Sequence, residues 1–494
     1  MSSEPVRQIF VPDFGASLRS SRGALTEASS ATRRAGDLSI WRLAAFSGVG
    51  IPLAAALMPV TVYLPPFFVE QRGLSLAAVG AVFMLSRLWD AALDPVVGVL
   101  SDRMRRRKPW IIGGTFLFVL ATIAIFLPPQ KVDMLYLGFW LFAFYLGWTM
   151  ISTPLYAWSG EITSRYHERS RVQASLQVAT ALGLLCVLVI PTFLDRQGGA
   201  ALSTKAAAMG AFAVATVVPS VALLCLLFRE RESGIPPSRR AGIFEALRHL
   251  VTNRLLARVI ASDLAVATGQ CVRGALFVFF VSGYMGRPEW AAGLFLVQYV
   301  FGVFAGPIWL RVSYRLGKSR TIVIAELLQA AINLSLLLVT PTAFTFLITL
   351  TIAQGLAQSS GNLMLRAIVS DVADAERLKT GQERSGLFFS IFNMTNNVAA
   401  AFAIGLALPL VGMLGFKPGA ENSAQVLAGV QLVFALVPAL CHTVSALLMW
   451  NFPLDERAHV GIRDALAARE ASPHGPARKL DVVTPVRSSG LARP

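Results

Sequence analysis

Apolar segments of membrane-spanning length recur twelve times along this chain, and that recurrence restricts the fold more than any single motif. They lie near residues 44–68, 76–100, 110–128, 134–157, 172–194, 204–228, 257–284, 289–310, 319–340, 342–365, 386–413 and 424–451. A helix needs about 20 apolar residues to cross the hydrocarbon layer. At 494 residues, 55% apolar and only 15% charged, the chain is too apolar for a soluble globule of its size. The expectation is an all-α membrane protein of twelve transmembrane helices.

The net charge of +16 raises nucleic acid as a partner, and the placement of the basic residues argues against it. With the amino terminus in the cytoplasm, 36 Lys and Arg fall on that side and six on the other, with Arg87 and Arg273 inside the bilayer. That asymmetry is a topology signal for a multi-pass protein with both termini cytoplasmic. The basic stripes lack an aromatic or groove-reading element, so no nucleic acid is expected. All four cysteines fall within spans, which leaves neither a disulfide framework nor a metal-ligand spacing.

Composition divides the chain into a disordered tail over 1–43, a six-helix bundle over 44–228, a polar central loop over 229–256, a second six-helix bundle over 257–452 and a disordered tail over 453–494. Residues 242–256 have apolar positions at helical spacing and are expected along the membrane surface. The halves echo one another. Gly98-x3-Asp102-Arg103-x3-Arg107-Lys108 follows the second span, and Gly306-x4-Arg311-x3-Arg315-x2-Lys318-x-Arg320 follows the eighth, without the acid. Parallel repeats of this kind place a solute site near the bilayer midplane, between halves that rock against each other.

The second span carries ionisable groups at bilayer depth. Arg87, Asp90 and Asp94 sit at i, i+3 and i+7 and so share one helix face, with the acids one turn apart. Each such group costs roughly 2.5–3.5 kcal/mol at a helix centre, so it is expected in a wet cavity, in a pair, or on an ion. Two acids outnumber one arginine, and the remaining negative charge suits a small hard cation or a proton. Asp263 and Arg273 in the seventh span are ten residues apart and cannot pair. Asp263 is expected near the interface, Arg273 deeper, against a solute, a carbonyl or an acid. Glu326 in the ninth span is expected to snorkel or cap.

Arg87-x-x-Asp90-x3-Asp94-Pro95-x2-Gly98-x2-Ser101-Asp102-Arg103, followed by Arg106-Arg107-Lys108-Pro109-Trp110, resembles the glycoside–pentoside–hexuronide:cation symporter family of the major facilitator superfamily. Two further blocks agree: Thr149-Met150-x3-Pro154-Leu155-x5-Glu161 with Glu168-Arg169-x-Arg171, and Asp371-x2-Asp374-x4-Lys379-Thr380-Gly381-x2-Arg384-x-Gly386. The likeness covers all twelve spans and not the tails. It implies secondary active transport in the plasma membrane (the bacterial inner membrane) by a monomer. The implied activity is Na⁺- or H⁺-coupled symport of a sugar or glycoside-like solute by alternating access, with no cofactor beyond the coupling cation.

The resemblance also implies roles. Asp90 and Asp94 become the cation site, with Thr149 as a neutral oxygen ligand and Arg87 as the ion-pair partner. Asp102, Arg103, Lys108, Asp371, Lys379 and Arg384 become gating charges at the cytoplasmic helix ends. The solute site departs from the family pattern. The first span offers Gly48, Gly50 and Pro52 where melibiose-transporting members have an acid, Ser152 replaces the sugar-binding acid of the fourth span, and the membrane lysine of the eleventh aligns with Asn397. Asn393 and Asn397 share a face and, with Trp148, Ser152 and Gln177, form the expected hydroxyl-reading and ring-stacking pocket. A neutral polyol, a glycoside or an amphiphile such as a lysolipid or drug then stands beside a disaccharide as the solute. A non-transporting scaffold or sensor is the reading from another class.

The five histidines form no constellation, and a P-loop and a dinucleotide fingerprint are both absent, so neither enzymatic chemistry nor ATP-driven transport is expected.

Overall fold

The computed structural model describes residues 38–104, 106–162, 166–197, 200–228, 230, 252–381, 385–454 and 456–471. Regular structure among them is entirely helical. The spans are α1 (Ile40–Val62, broken at 48–49), α2 (Leu76–Arg103), α3 (Lys108–Phe126), α4 (Met134–Glu161), α5 (Tyr166–Arg196), α6 (Leu202–Leu227), α7 (Arg254–Phe279, continued by a π turn over Phe280–Tyr284), α8 (Ala291–Leu316), α9 (Lys318–Ser335), α10 (Phe344–Thr380), α11 (Ser385–Met413) and α12 (Ala424–Met449). Eleven of them are long and apolar enough to cross a membrane, all but α10. That helix is the twelfth span: 37 residues rise about 55 Å, so it contains the apolar 342–365 run and continues beyond it.

Local chemistry sets the boundaries. Ser39, Asp133, Asn253 and Ser423 each cap a helix start by accepting from backbone N–H groups of the first turn. Gly381, at φ 74°, ends α10 in the left-handed conformation.

Three expectations change. The 453–494 region is not disordered throughout, because α13 (Glu456–Ala471) packs against α10. Asp371 and Lys379 lie on α10 itself rather than in a loop, since Asp371 is paired there with Lys318 and the helix runs on to Thr380. Helix α1 begins at Ile40 and α7 at Arg254, inside the regions read as tail and central loop. The surface segment expected over 242–256 lies largely outside the described residues, as does Arg384.

Within the first half α1 packs on α5 and α6, and α3 on α4 and α6. Within the second half α7 packs on α11 and α12, and α9 on α10 and α12. The halves join mainly through two seams, α2 with α11 and α5 with α8, related as the sequence repeat requires, with a smaller contact between α1 and α7. Along the first seam Gly80 meets Pro409, Gly405 meets Met84 and Gly412 meets Leu76; along the second, Gly293 meets Thr192. Small residues let backbones approach where lipid supplies no hydrophobic drive. Gly183 is the tightest case, since a Cβ there would overlap the backbone of Ile51.

Gly183→Ala is therefore expected to lower the unfolding temperature of purified protein, with a destabilisation of about 2 kcal/mol. Gly306→Ala, inside α8 where a Cβ meets no atom within 4 Å, should not lower it.

Candidate functional site

Helix α2 presents Arg87, Asp90 and Asp94 toward α4, and α4 answers with hydroxyls at the same four-residue step. Thr149 Oγ1 donates to Asp90 Oδ1 at 2.9 Å, and Thr153 Oγ1 donates to Asp94 Oδ1 at 3.2 Å. Arg87 Nη1 stands 3.6 Å from Asp90 Oδ2, with side-chain exposures of 8% and 1%. Its guanidinium lies over the Tyr145 ring, 5.0 Å from the centroid. Asp94 reaches across the seam, where Asn397 Nδ2 on α11 donates to its Oδ2 at 3.3 Å. Pro95 has no N–H, so the Ala91 carbonyl lacks its intrahelical donor one turn away.

This group holds one cation against two carboxylates. With Arg87 set against Asp90, a single negative charge remains at Asp94, stabilised only by neutral donors. The surrounding oxygens are carboxylate, hydroxyl and amide, the donor set of hard cations. The arrangement can accept one monovalent cation or one proton.

Two of the residues expected to read the solute have partners elsewhere. Asn397 belongs to the acid group rather than to a separate site. Asn393 Oδ1 instead accepts from Arg366 Nη2 on α10 at 3.3 Å. Trp148 is half-buried with Nε1 unpartnered, Ser152 is buried beside it on α4, and Gln177 is exposed on α5. Among the described residues no hydrogen bond joins Gln177 to the others.

Of the expected gating charges, Lys108 Nζ donates to the Cys225 carbonyl at 2.8 Å, and its backbone N–H, with that of Arg107, donates to Glu230. Lys318, which opens α9 as Lys108 opens α3, donates to both oxygens of Asp371 at 2.8 and 2.6 Å. His459 of α13 adds a contact to Asp371 at 3.3 Å. The acid missing from the second repeat is thus supplied by α10. Arg103 and Lys379 are exposed, and the side chain of Asp102 lies outside the described residues.

Two charges in the second half were misplaced by sequence reasoning. Glu326 does not snorkel: its Oε2 lies 2.6 Å from His442 Nδ1, both side chains fully buried. Asp263 is not interfacial but fully buried, with both carboxylate oxygens unpartnered. A chain of amides extends from this point. Gln329 Nε2 donates to Glu326 Oε1, Gln354 Nε2 donates to Gln329 Oε1, and Asn333 Nδ2 donates to Gln354 Oε1. Asn333 Oδ1 accepts from Arg273 Nη1 at 3.0 Å. Sequence reasoning also missed Thr153, although its step of four from Thr149 matches that of Asp90 to Asp94. It missed the amides of α9 as well, although Glu326, Gln329 and Asn333 repeat the i, i+3, i+7 spacing of Arg87, Asp90 and Asp94; Gln354 stands alone in its apolar run.

A model of the MFS/sugar transport protein family matches residues 46–456. The chain belongs to that family, the glycoside–pentoside–hexuronide:cation symporter branch of the major facilitator superfamily. Among its relatives are an uncharacterized symporter, YjmB, of Bacillus subtilis, 22% identical over 424 residues covering 81% of this chain and 89% of the relative. A glucuronide carrier protein homolog of Escherichia coli is 22% identical over 416 residues, covering 80% and 88%. The solved nucleoside transporter NupG superimposes with a TM-score of 0.65 at 12% identity, covering 83% of this chain and 99% of that one, which establishes the shared fold. This family member is a multi-pass membrane protein, and its family transports solutes rather than transforming them.

The Glu326–His442 pair gives a stability test. Glu326→Ala is expected to destabilise the purified protein by about 3 kcal/mol in thermal unfolding, because it leaves His442 buried without a partner.

Proposed function

We propose that the protein is a secondary active symporter of a sugar or glycoside-like solute, driven by Na⁺ or H⁺ bound at Asp90 and Asp94. The observation that carries the reading is the excess carboxylate at Asp94, held by Thr153 from its own half and by Asn397 from the other. A cation arriving there neutralises the charge at the seam where the halves meet, so occupancy and the relative position of the halves are linked. Linkage is reciprocal: a cation that favours one arrangement raises the affinity of that arrangement for solute, and solute does the same for the cation.

The names of the relatives support the class, one an uncharacterized symporter and one a homolog of a glucuronide carrier protein. The distribution of Lys and Arg supports cytoplasmic termini in the bacterial inner membrane. With that orientation, the contacts from Leu76 to Asp94 on α2 and from Asn397 to Gly412 on α11 lie toward the outside, and the conformer is one closed on that side. One chain supplies both halves and the whole acid group, in keeping with a monomer.

The test is uptake of radiolabelled glycosides into proteoliposomes under separately imposed Na⁺ and H⁺ gradients. Asp94→Asn is expected to abolish concentrative uptake while equilibration down a solute gradient persists. Thr153→Val should weaken apparent cation affinity by about 10-fold. Full accumulation by Asp94→Asn removes the carboxylate from coupling.

A further inference from the structure

We propose that the second half contains an anion-binding subsite built on Arg273, and that the solute is an acidic sugar whose carboxylate or sulfonate sits there. The proposal rests on the transport reading above and names the substrate class.

Arg273 lies in the second half of α7, six residues before Phe279, and is 3% exposed. Its Nη1 is held by Asn333, and its guanidinium lies over the Phe434 ring, 5.4 Å from the centroid. Nε and Nη2 have no partner. Among the described residues no acid stands within ion-pair distance. Arg87, the other arginine at this depth, does have an acid beside it. A buried guanidinium without a counter-charge is costly unless an anion arrives to offset it.

The surroundings define what arrives. Arg273 lines a partly open cavity of about 30 Å³ between α7, α8 and α10, room for about two waters or for the charged end of a solute. Two other lining side chains also have unpartnered polar atoms, the donor Gln270 Nε2 and the acceptor Gln298 Oε1. Gln298 is fixed by its own Nε2, which donates to Gln358 Oε1 at 2.6 Å. Two nitrogens of a rigid fork and one amide N–H suit a carboxylate or sulfonate, and the lone acceptor suits a neighbouring hydroxyl. The rings of Phe295 and Tyr299, nearly parallel at 6.2 Å and 18°, supply the aromatic part of the lining, against which a sugar ring can pack. A neutral polyol would leave Arg273 uncompensated.

The two sites complement each other in charge. Arg87, Asp90 and Asp94 sum to one negative charge and Arg273 to one positive charge, so loading a monovalent cation and a monoanion together neutralises both.

The test is calorimetric titration of purified protein with pairs differing in one charge: methyl β-D-glucuronide against methyl β-D-glucoside, and 6-deoxy-6-sulfoglucose against glucose. The acid of at least one pair is expected to bind at least about 10-fold more tightly than its neutral partner. Arg273→Gln should erase the difference, and Arg273→Lys should keep part of it. Equal or tighter binding of the neutral members, binding of neither pair, or a preference surviving in Arg273→Gln overturns the proposal. If Arg273→Gln does not fold, the wild-type preference and Arg273→Lys decide. Cation-driven accumulation of the neutral glycosides alone would overturn this subsite and leave the symport reading standing. Selective binding of the acid with no cation-driven uptake would do the reverse.

Discussion

One charge inside the membrane has no full counterpart: Asp90 has Arg87 beside it, and Asp94 has only a hydroxyl and an amide. In water this would be a small matter. At this depth an ionised group held by neutral donors alone is an expensive arrangement, one that uptake of a cation or a proton would relieve, as proposed above. The packing around it supplies those donors. Helix α4 supplies hydroxyls at the acid spacing, α11 comes close enough for Asn397 to reach across, and Gly80, Gly405 and Gly412 permit the approach.

Helix α7 stands between the acid group and the cavity of the second half. Cys271 lies within electrostatic reach of Arg87, while Arg273, two residues on, lies on the opposite side of the helix and lines the cavity. Behind Arg273, the amides of Asn333, Gln354 and Gln329 lead to the buried Glu326–His442 pair, tying α7, α9, α10 and α12 into one polar framework. Such a framework fixes the guanidinium without neutralising it. In the proposed transport cycle a shift of α7 would be felt on both faces, which is what a cation and a solute need in order to influence each other.

The twelve spans and the two-half organisation were legible because backbone satisfaction in lipid forces long apolar helices. The acid face of α2 was legible because three charges at i, i+3 and i+7 in an apolar run have few alternatives. What the sequence hid depends on pairing between distant elements. Asp371 reads as a loop charge until Lys318 and His459 are seen beside it, and Glu326 reads as a snorkelling residue until His442 lies against it. Asn397 reads as a solute ligand from its neighbours on α11, and only the α2–α11 seam reveals its bond to Asp94. The cavity around Arg273 depends on the mutual placement of three helices, which no local pattern records.

The most direct test of the central claim is the affinity of purified protein for its solute as Na⁺ concentration and pH are varied, in the wild type and in Asp90→Asn/Asp94→Asn. The account predicts that one of the two cations tightens solute binding in the wild type and that the double variant binds solute with an affinity independent of both. A wild-type affinity that responds to neither ion, or a response that survives in the double variant, contradicts it.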